Sequence, residues 1–309
     1  MTWKFLKEND VIDVVAPGYP SKPEEVEGAR AFLEKWNLQP RIPKGIIKPH
    51  FLHAHEDEAR WQFMKAAIES RDSRVIWCLR GGYGSNRLIP FLAKMKKPKE
   101  PKLLIGISDI SSLHTFVNQE WGWSSLHAPL LDRLGRNLVS AKHEKEIHDI
   151  LFGKTRQVEF KKLKPMNEAA RQVKTLKSKI VGGNLTVLQS TLGTPWQVDA
   201  DRRLLFVEDI GERGYRIDRM FEQFRQAGIL KKCHGIVLGD FIGGNEPNGT
   251  EDKTQLVFKR WAADLEIPLF KGLEAGHAPV QRPVPFNTPC ELVVANNRTV
   301  LTIDTGGRP

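Results

Sequence analysis

Residues Leu103–Asn118, LLIGISDISSLHTFVN, decide the fold class of this chain. An apolar run of strand length, Leu103–Ile107, leads directly into Ser108, after which apolar side chains return at helical spacing. A strand that turns sharply into a helix is the unit from which parallel sheets are built. The pattern therefore predicts an α/β fold with Ser108 at the corner between a strand and a helix.

The same alternation of strand and helix precedes this stretch. Apolar runs at Val11–Ala16 and Val75–Leu79 predict strands, and periodic apolar positions predict helices over Glu24–Trp36, Asp57–Ser70 and Asn86–Lys94. Strands and helices in alternation predict a parallel sheet with helices on both faces.

The length of 309 residues favours two domains. Residues 153–179 are polar, basic and contain proline, so they are predicted to be a linker between an N-terminal α/β domain, 1–152, and a C-terminal domain, 180–309. Beyond the linker the signals are mixed and richer in strands, at Arg203–Val207, Gly235–Leu238, Glu291–Ala295 and Thr299–Ile303, with helices at Leu185–Leu192, Tyr215–Ala227 and Lys253–Leu265.

Composition and charge exclude several classes of protein. Apolar residues make up 40% of the chain and charged residues 27%, as in a globular protein with a sizeable core. The net charge is +10, but the densest basic run, Lys94–Lys102, has no aromatic residue for base stacking and no nucleic-acid-binding signature beside it. We interpret that run as a solvated loop and expect no nucleic-acid partner, although the excess charge favours anionic small substrates.

The chain offers no signal for a membrane or a cofactor. Its apolar runs are far shorter than the roughly 20 residues that span a bilayer, and its N-terminus lacks an apolar signal core, which predicts a cytoplasmic protein. Cys78, Cys233 and Cys290 are far apart in sequence and are predicted to be buried free thiols. Because neither a Walker loop nor a dinucleotide-binding pattern is present, no cofactor is expected.

Ser108 has the context of a catalytic nucleophile. A Gly-x-Ser corner between a strand and a helix resembles a nucleophile elbow, in which the backbone N–H of the next residue, Asp109, faces a developing oxyanion. The alternative is that Ser108 merely caps the helix.

A second unusual segment is Arg80-Gly-Gly-Tyr-Gly-Ser85, which has three glycines in four positions after a strand. Such a loop lets bare N–H groups approach a ligand, and Gly82 is the second candidate donor for an oxyanion. The alternative is a tight turn with Ser85 as the helix N-cap, and for Ser85 itself we favour capping.

A serine nucleophile needs a base, and the base needs an orienting acid. His277 lies in a loop of small residues that can present it to a cleft. Glu208 follows an apolar strand, at the carboxyl end where the binding sites of α/β proteins usually lie. The alternative is that Glu208 is an ordinary loop acid. His114 falls on the packed face of its helix. The remaining cluster, His50, His53 and His55, lacks acids at metal-ligand spacing and is expected to be solvated, so no metal site is predicted.

Taken together, these segments resemble the LD-carboxypeptidase family of serine peptidases, which includes murein tetrapeptide carboxypeptidases and microcin-C immunity peptidases. The resemblance runs from Val11 to Ile303 and rests on motifs in a fixed order: Arg80-Gly-Gly-Tyr-Gly84 with Arg87-Leu-Ile-Pro90, Gly106-Ile-Ser-Asp-Ile110 with Leu113-His114, Gly182-Gly-Asn-Leu185 with Leu192-Gly-Thr-Pro195, Glu208-Asp-Ile-Gly-Glu212 with Arg216-Ile-Asp-Arg219, and Gly276-His277.

The resemblance implies a catalytic triad of Ser108, Glu208 and His277, and substrate contacts from Tyr83 and Asn184. It also implies a flavodoxin-like N-terminal domain, a smaller β-rich swivelling C-terminal domain, and a homodimer. Two departures from the family pattern, His127-Ala-Pro129 and Pro283-Val-Pro-Phe-Asn287, lie outside the triad and bear on the substrate pocket.

The function implied is that of a metal-free serine carboxypeptidase that releases a terminal D-amino acid from an L-configured centre. The substrate implied is a muropeptide tetrapeptide in cell-wall recycling, which loses D-Ala. One alternative is a peptidase or amidase that detoxifies a peptidyl-nucleotide antibiotic. The other is a basic binding module with a degenerate site, for which binding that falls steeply with salt would argue.

Overall fold

The computed structural model describes residues 2–246, 252–296 and 298–309. The helices in these residues are α1 (Pro23–Lys35), α2 (Asp57–Glu69), α3 (Ile89–Lys94), α4 (Ser111–Gln119), α5 (Leu131–Gly135), α6 (Ala141–Leu151), α7 (Glu168–Gln172), α8 (Leu185–Ser190), α9 (Gly214–Gln226) and α10 (Thr254–Asp264). Short 3-10 turns, Ser85–Leu88 and Ser108–Ile110, precede α3 and α4.

The strands are β1 (Trp3–Lys4), β2 (Val11–Val15), β3 (Gln39–Arg41), β4 (Ser73–Cys78), β5 (Leu103–Gly106), β6 (Ser125–His127), β7 (Gln157–Pro165), β8 (Thr175–Asn184), β9 (Leu204–Ile210), β10 (Gly235–Ile242), β11 (Leu269–Lys271), β12 (Val284–Phe286), β13 (Pro289–Ala295), β14 (Arg298–Asp304) and β15 (Gly307–Arg308). The predicted helices begin and end within two residues of these bounds, except that the helix predicted from Asn86 begins at Ile89, after the 3-10 turn Ser85–Leu88.

The first sheet has the strand order β12-β6-β5-β4-β2-β3. Strands β2 to β6 pair in parallel, and β12 pairs antiparallel with β6. Apolar side chains of the central strands, such as Val75 and Trp77, are buried because helices cover both faces of a parallel sheet. The predicted α/β fold with a parallel sheet is confirmed.

The second sheet is a closed barrel with the order β10-β11-β7-β14-β13-β8-β9. Its strands β8, β9, β10 and β11 are parallel neighbours, whereas β7, β13 and β14 pair antiparallel. This confirms a separate β-rich region beyond the parallel sheet.

Most of the segment predicted as a linker belongs to the barrel. Residues 153–179 contain all of β7, helix α7 and the first half of β8. Polar side chains of β7 face outward, while Val158, Phe160 and Leu163 are buried in the core. The interpretation of this segment as a linker between domains therefore differs from the structure over 157–179, where the apolar positions are spaced among many lysines and do not form a continuous run.

The barrel and the parallel sheet share structure. Strand β12 comes from the C-terminal part of the chain but completes the first sheet beside β6. A single core cluster contains Trp77 of the first sheet and Phe206 of the barrel. The junction therefore positions residues of β5 and β6 against residues of β8 and β9. None of the described helices is long and apolar enough to cross a membrane.

Candidate active site

Ser108 lies in a strained turn between β5 and α4. Its backbone φ is +68°, in the left-handed region that residues other than glycine seldom occupy. At Gly106, a Cβ would come within 2.8 Å of Ile110, so the strand and the helix are packed too closely for a side chain there. The residue at the helix start is Ile107, and the Ser108 hydroxyl makes no hydrogen bond with any described residue, so Ser108 does not cap the helix. This is the geometry of a nucleophile elbow.

The glycine loop after β4 lies against this turn. A Cβ on Gly81 would stand 3.2 Å from Cβ of Ser108, which places the backbone of residues 81 and 82 beside the serine. Gly82 has φ +93° and packs against Tyr19, so this position also requires glycine. The ring of Tyr83 is 44% exposed and packs on one side against His53, with 5.3 Å between ring centroids. The loop thus places its backbone beside Ser108 and leaves the Tyr83 ring partly exposed.

Ser85 joins the glycine loop to the elbow. Its hydroxyl donates to the carbonyl oxygen of Asp109 at 2.6 Å, and its N–H donates to Oδ2 of Asp109 at 2.8 Å. Ser85 is fully buried, and the N-cap of its 3-10 turn is Gly84. The prediction that Ser85 is an N-cap is therefore wrong: its hydroxyl bonds to a neighbouring loop because Asp109 faces it across the packed turn.

Glu208 and His277 form a buried acid–histidine pair. Nδ1 of His277 and Oε2 of Glu208 are 2.7 Å apart, with Glu208 fully buried and the His277 side chain 17% exposed. Glu208 is held within β9, and His277 lies in the loop between β11 and β12. Gly276, at φ +141°, leaves space for the pair, since a Cβ there would stand 3.1 Å from Oε2 of Glu208.

The charge of the pair favours the protonated histidine. Burial of the ring is the largest effect and opposes protonation, but the hydrogen bond to Glu208 and the negative charges of Glu208 and Asp209 together raise the pKa of His277 above its ordinary value. With Nδ1 bound to the acid, Nε2 is the nitrogen available to a nucleophile.

Asn184 connects the serine's helix to the acid's strand. Strands β8 and β9 place Asn184 opposite Glu208, and the N–H of Asn184 donates to Oγ of Ser111, one turn beyond Ser108, at 2.8 Å. The Asn184 amide donates to Asp209 at 3.1 Å and its oxygen accepts the N–H of Val187. Both ends of this buried side chain are therefore engaged within the protein, and its predicted contact with substrate stays a prediction.

One side chain in the histidine cluster and one in the basic run are buried, although both segments are predicted to be solvated. His53 is buried rather than solvated, since it packs beneath Tyr83 and against Gly84. Lys102 ends the basic run predicted as a solvated loop, but it is buried and its Nζ donates to Ser73 at 2.7 Å beside Asp13. In both cases tertiary packing, which local composition does not record, covers the side chain.

The predictions for His114 and for the three cysteines are confirmed. His114 is buried, with Nε2 2.9 Å from the carbonyl oxygen of Gly106, and burial lowers its pKa to about 4, so the ring is neutral and packs in the core. The cysteines are free and buried. Among the described residues, no three histidine, cysteine or acidic side chains come together as metal ligands.

An α/β protein that combines a strained Gly-x-Ser turn with a buried acid–histidine pair is a serine-type hydrolase, here one that acts on peptide bonds. The chain belongs to the LD-carboxypeptidase family: residues 12–128 match the N-terminal domain of that family and residues 177–292 match its C-terminal domain.

Relatives of known name cover nearly the whole chain. A probable murein peptide carboxypeptidase of Bacillus subtilis is 31% identical over 301 residues, which are 96% of this chain and 93% of the relative. The crystal structure of a muramoyltetrapeptide carboxypeptidase from Oxalobacter formigenes superposes with a TM-score of 0.82 at 27% identity, over 95% of this chain and 98% of that one. The microcin C7 self-immunity protein MccF shares the fold, with a TM-score of 0.84 at 18% identity over 98% of each chain.

Proposed function

We propose that the protein is a serine carboxypeptidase that releases the terminal D-amino acid from an L-configured centre of a muropeptide tetrapeptide. The observation that carries the proposal is the 2.7 Å contact between His277 and the buried Glu208. The strand of Glu208 pairs with β8, which bonds to the helix that follows the strained turn of Ser108. The similarity to a probable murein peptide carboxypeptidase and to a muramoyltetrapeptide carboxypeptidase supports a muropeptide as the substrate, and we propose D-Ala as the leaving group.

The chemistry proposed follows the logic of a serine triad. His277 removes the Ser108 proton, and Ser108 attacks the carbonyl carbon of the scissile bond. Glu208 holds the ring in the tautomer with Nε2 free and stabilises the imidazolium that forms. The N–H groups of Asp109 and Gly82 are the proposed donors to the oxyanion.

The acyl-enzyme is then resolved by water. His277 first gives its proton to the leaving amine, and D-Ala departs with its free carboxylate. His277 next takes a proton from water, which attacks the ester and regenerates Ser108. Tyr83, whose ring is partly exposed beside Gly82, is the proposed contact for the bound peptide.

Further features of the family belong to the same proposal. We propose that residues 1–152 form a flavodoxin-like domain, that the β-rich part swivels relative to it, and that the enzyme acts in the cytoplasm as a homodimer. The shared strand β12 and the common core of Trp77 and Phe206 limit such a swivel to small rotations.

The test is mass spectrometry of a muropeptide tetrapeptide ending in D-Ala after incubation with the wild type, Ser108→Ala or Ser85→Ala. We expect the wild type to yield tripeptide and free D-Ala. Ser108→Ala should be inactive but folded, because its side chain makes no hydrogen bond with a described residue. Ser85→Ala should keep substantial activity with lower thermal stability, because it loses the bond to Asp109.

A peptidyl-nucleotide, assayed side by side, separates the proposed substrate class from the alternative. Turnover of the peptidyl-nucleotide without turnover of the tetrapeptide would reject a muropeptide substrate. An active Ser108→Ala with an inactive Ser85→Ala would reject the nucleophile.

A further inference from the structure

A β-bulge places a second acid, Asp240, beside the acid–histidine pair. Strands β9 and β10 pair Val207 with Leu238 and Asp209 with Phe241, so two steps along β9 correspond to three steps along β10. Gly239 and Asp240 therefore both lie opposite Glu208. Bulges of this kind are frequent next to active sites, where the extra residue redirects a side chain.

Asp240 contacts the loop that carries His277 on both sides of the histidine. Its backbone N–H donates to the carbonyl oxygen of Ala275 at 3.0 Å, and Gly239 allows this approach because a Cβ there would meet the same oxygen. On the other side, the backbone N–H of Ala278 faces the Asp240 carboxylate and lowers its pKa. The His277 loop is thus bonded to β10 at Ala275 and approaches the Asp240 side chain at Ala278.

The Asp240 carboxylate also lies close to the pair formed by Glu208 and His277. A Cβ at Gly276 would stand 3.2 Å from Oδ2 of Asp240 and 3.1 Å from Oε2 of Glu208, so both carboxylates approach the residue before His277. Oδ2 of Asp240 is buried and has no hydrogen-bond partner among the described residues. Burial raises the pKa of Asp240 to about 6, and the charges of Glu208 and Glu274 add to that rise.

We propose that Asp240 is a positioning residue of the catalytic site, which fixes the His277 loop and supplies a second negative charge that stabilises the protonated ring. The inference rests on the proposed function only in taking His277 as the catalytic base. The charge effect works in both directions: the positive charge of protonated His277 lowers the pKa of Asp240, and a negative charge on Asp240 favours the protonated ring.

Other charged groups that act on the histidine stay constant in the test. Glu208 and Asp209 raise the pKa of His277, and Arg133 lowers it. The neutral ring of His127 is buried nearby. Glu274 acts on Asp240, and its carboxylate is paired with Lys162 at 2.8 Å, so Glu274→Gln is the matched control for loss of one acid near the loop.

The experiment compares Asp240→Asn, Asp240→Ala and Glu274→Gln by steady-state kinetics across pH and by NMR titration of His277 in the free enzyme. Asp240→Asn keeps the shape of the side chain and removes its charge, so we expect the fold and KM to hold within about 2-fold while kcat falls roughly 10-fold. The pKa of His277 should fall, and the acid limb of kcat/KM should move to lower pH with it. Asp240→Ala should lose more kcat, and Glu274→Gln should behave like the wild type.

Two results would overturn the role of Asp240. One is an unchanged His277 pKa in Asp240→Asn, since a merely structural residue lowers kcat without moving the titration. The other is equal behaviour of Asp240→Asn and Glu274→Gln. The NMR titration needs no substrate, so it decides the role of Asp240 even if the wild type fails on muropeptides, which is the result that rejects the proposed function.

Discussion

Ser108 shows what a single residue contributes to the proposed reaction. A non-glycine residue at positive φ costs about 1–3 kcal/mol and persists only where the surrounding structure enforces it. Here the close packing of Gly106 on Ile110 and of Gly81 on Ser108 enforces the turn. In this strained turn the Ser108 hydroxyl makes no capping hydrogen bond with a described residue.

Glu208→Gln should lower kcat by about 10² to 10⁴ while the fold is retained. The amide removes the negative charge that favours imidazolium at His277, and it can donate to Nδ1 and reverse the tautomer. Because the bond and charge of Glu208 raise the pKa of His277, their loss should also move the acid limb of kcat/KM to lower pH. Steady-state kinetics across pH measures both effects.

Glu212→Gln is the control for Glu208→Gln. Glu212 pairs with Arg216 at 3.1 Å in a partly exposed setting and should cost little activity. Asp209 cannot serve as a neutral control, because it is buried, accepts hydrogen bonds from Asn184 and Thr186, and has a pKa raised by burial to about 6. A Glu208→Gln variant with near-wild-type kcat beside an impaired Glu212→Gln would move the acid along the chain.

Sequence patterns mark some residues of the proposed site and miss others for a physical reason. Ser108, Glu208 and His277 are marked by a strand-to-helix corner, a strand end and a loop of small residues, which are local signals. Asp240 sits within Gly239-Asp240 on a strand, and its approach to Ala275 depends on a bulge register that only the paired strand β9 defines. Residues placed by pairing between distant segments leave no local pattern.

At the scale of elements, the contact between β8 and α4 joins the two halves of the site. Gly183 has φ +143°, and a Cβ on it would overlap Ser111, whose hydroxyl accepts the N–H of Asn184. The backbone of the barrel strand is therefore in direct contact with the Ser111 side chain of the helix after Ser108. The sequence motif Gly182-Gly-Asn-Leu185 marks this segment, but not the element it touches.

Gly183→Ala should separate β8 from α4 and impair both stability and catalysis. The overlap with Ser111 should cost about 1–3 kcal/mol of unfolding free energy, and kcat should fall as Glu208 shifts relative to Ser108. Urea unfolding and steady-state kinetics measure the two effects.

Gly193→Ala is the matched control, since Gly193 also has positive φ but has no atom within 4 Å of an added Cβ. It should show backbone strain alone, with kcat unchanged. If the two variants lost the same activity, the contact between β8 and α4 would not position the site.

At the scale of the whole molecule, activity should survive exhaustive treatment with EDTA. The described residues bring no three metal-ligating side chains together, and the proposed acid, base and serine require no metal for proton transfer and attack. The measurement is the rate of D-Ala release before and after chelation and dialysis. Loss of activity that added zinc restores would contradict the serine mechanism.

The topology that brings the two sheets together lies beyond what sequence patterns predict. The parallel order of β2 to β6 follows from the alternation of strands and helices. The return of β12 to the first sheet does not, because Val284–Phe286 is a three-residue strand that interrupts a run of barrel strands. Only the antiparallel pairing with β6 reveals it.

This shared architecture predicts that the two sheets unfold together. Asn287, just after β12, donates its N–H to Ile180 of the barrel at 2.8 Å, while its side chain donates to the carbonyl oxygens of Asn118 and Trp123 beside the first sheet. One core cluster continues from the first sheet into the barrel, so exposing one sheet uncovers apolar surface of the other. A cooperative loss of both sheets is therefore favoured over stepwise unfolding.

Native-state hydrogen exchange at increasing urea, read by mass spectrometry of peptides from β4 and β13, tests this prediction. The two strands should exchange with the same free energy and the same dependence on urea. Asn287→Ala removes the side-chain bonds to Asn118 and Trp123 and should lower both free energies equally, by about 1–3 kcal/mol. Exchange of β13 at much lower urea than β4, in the wild type, would show that the barrel unfolds on its own and that the junction at β12 does not couple the sheets.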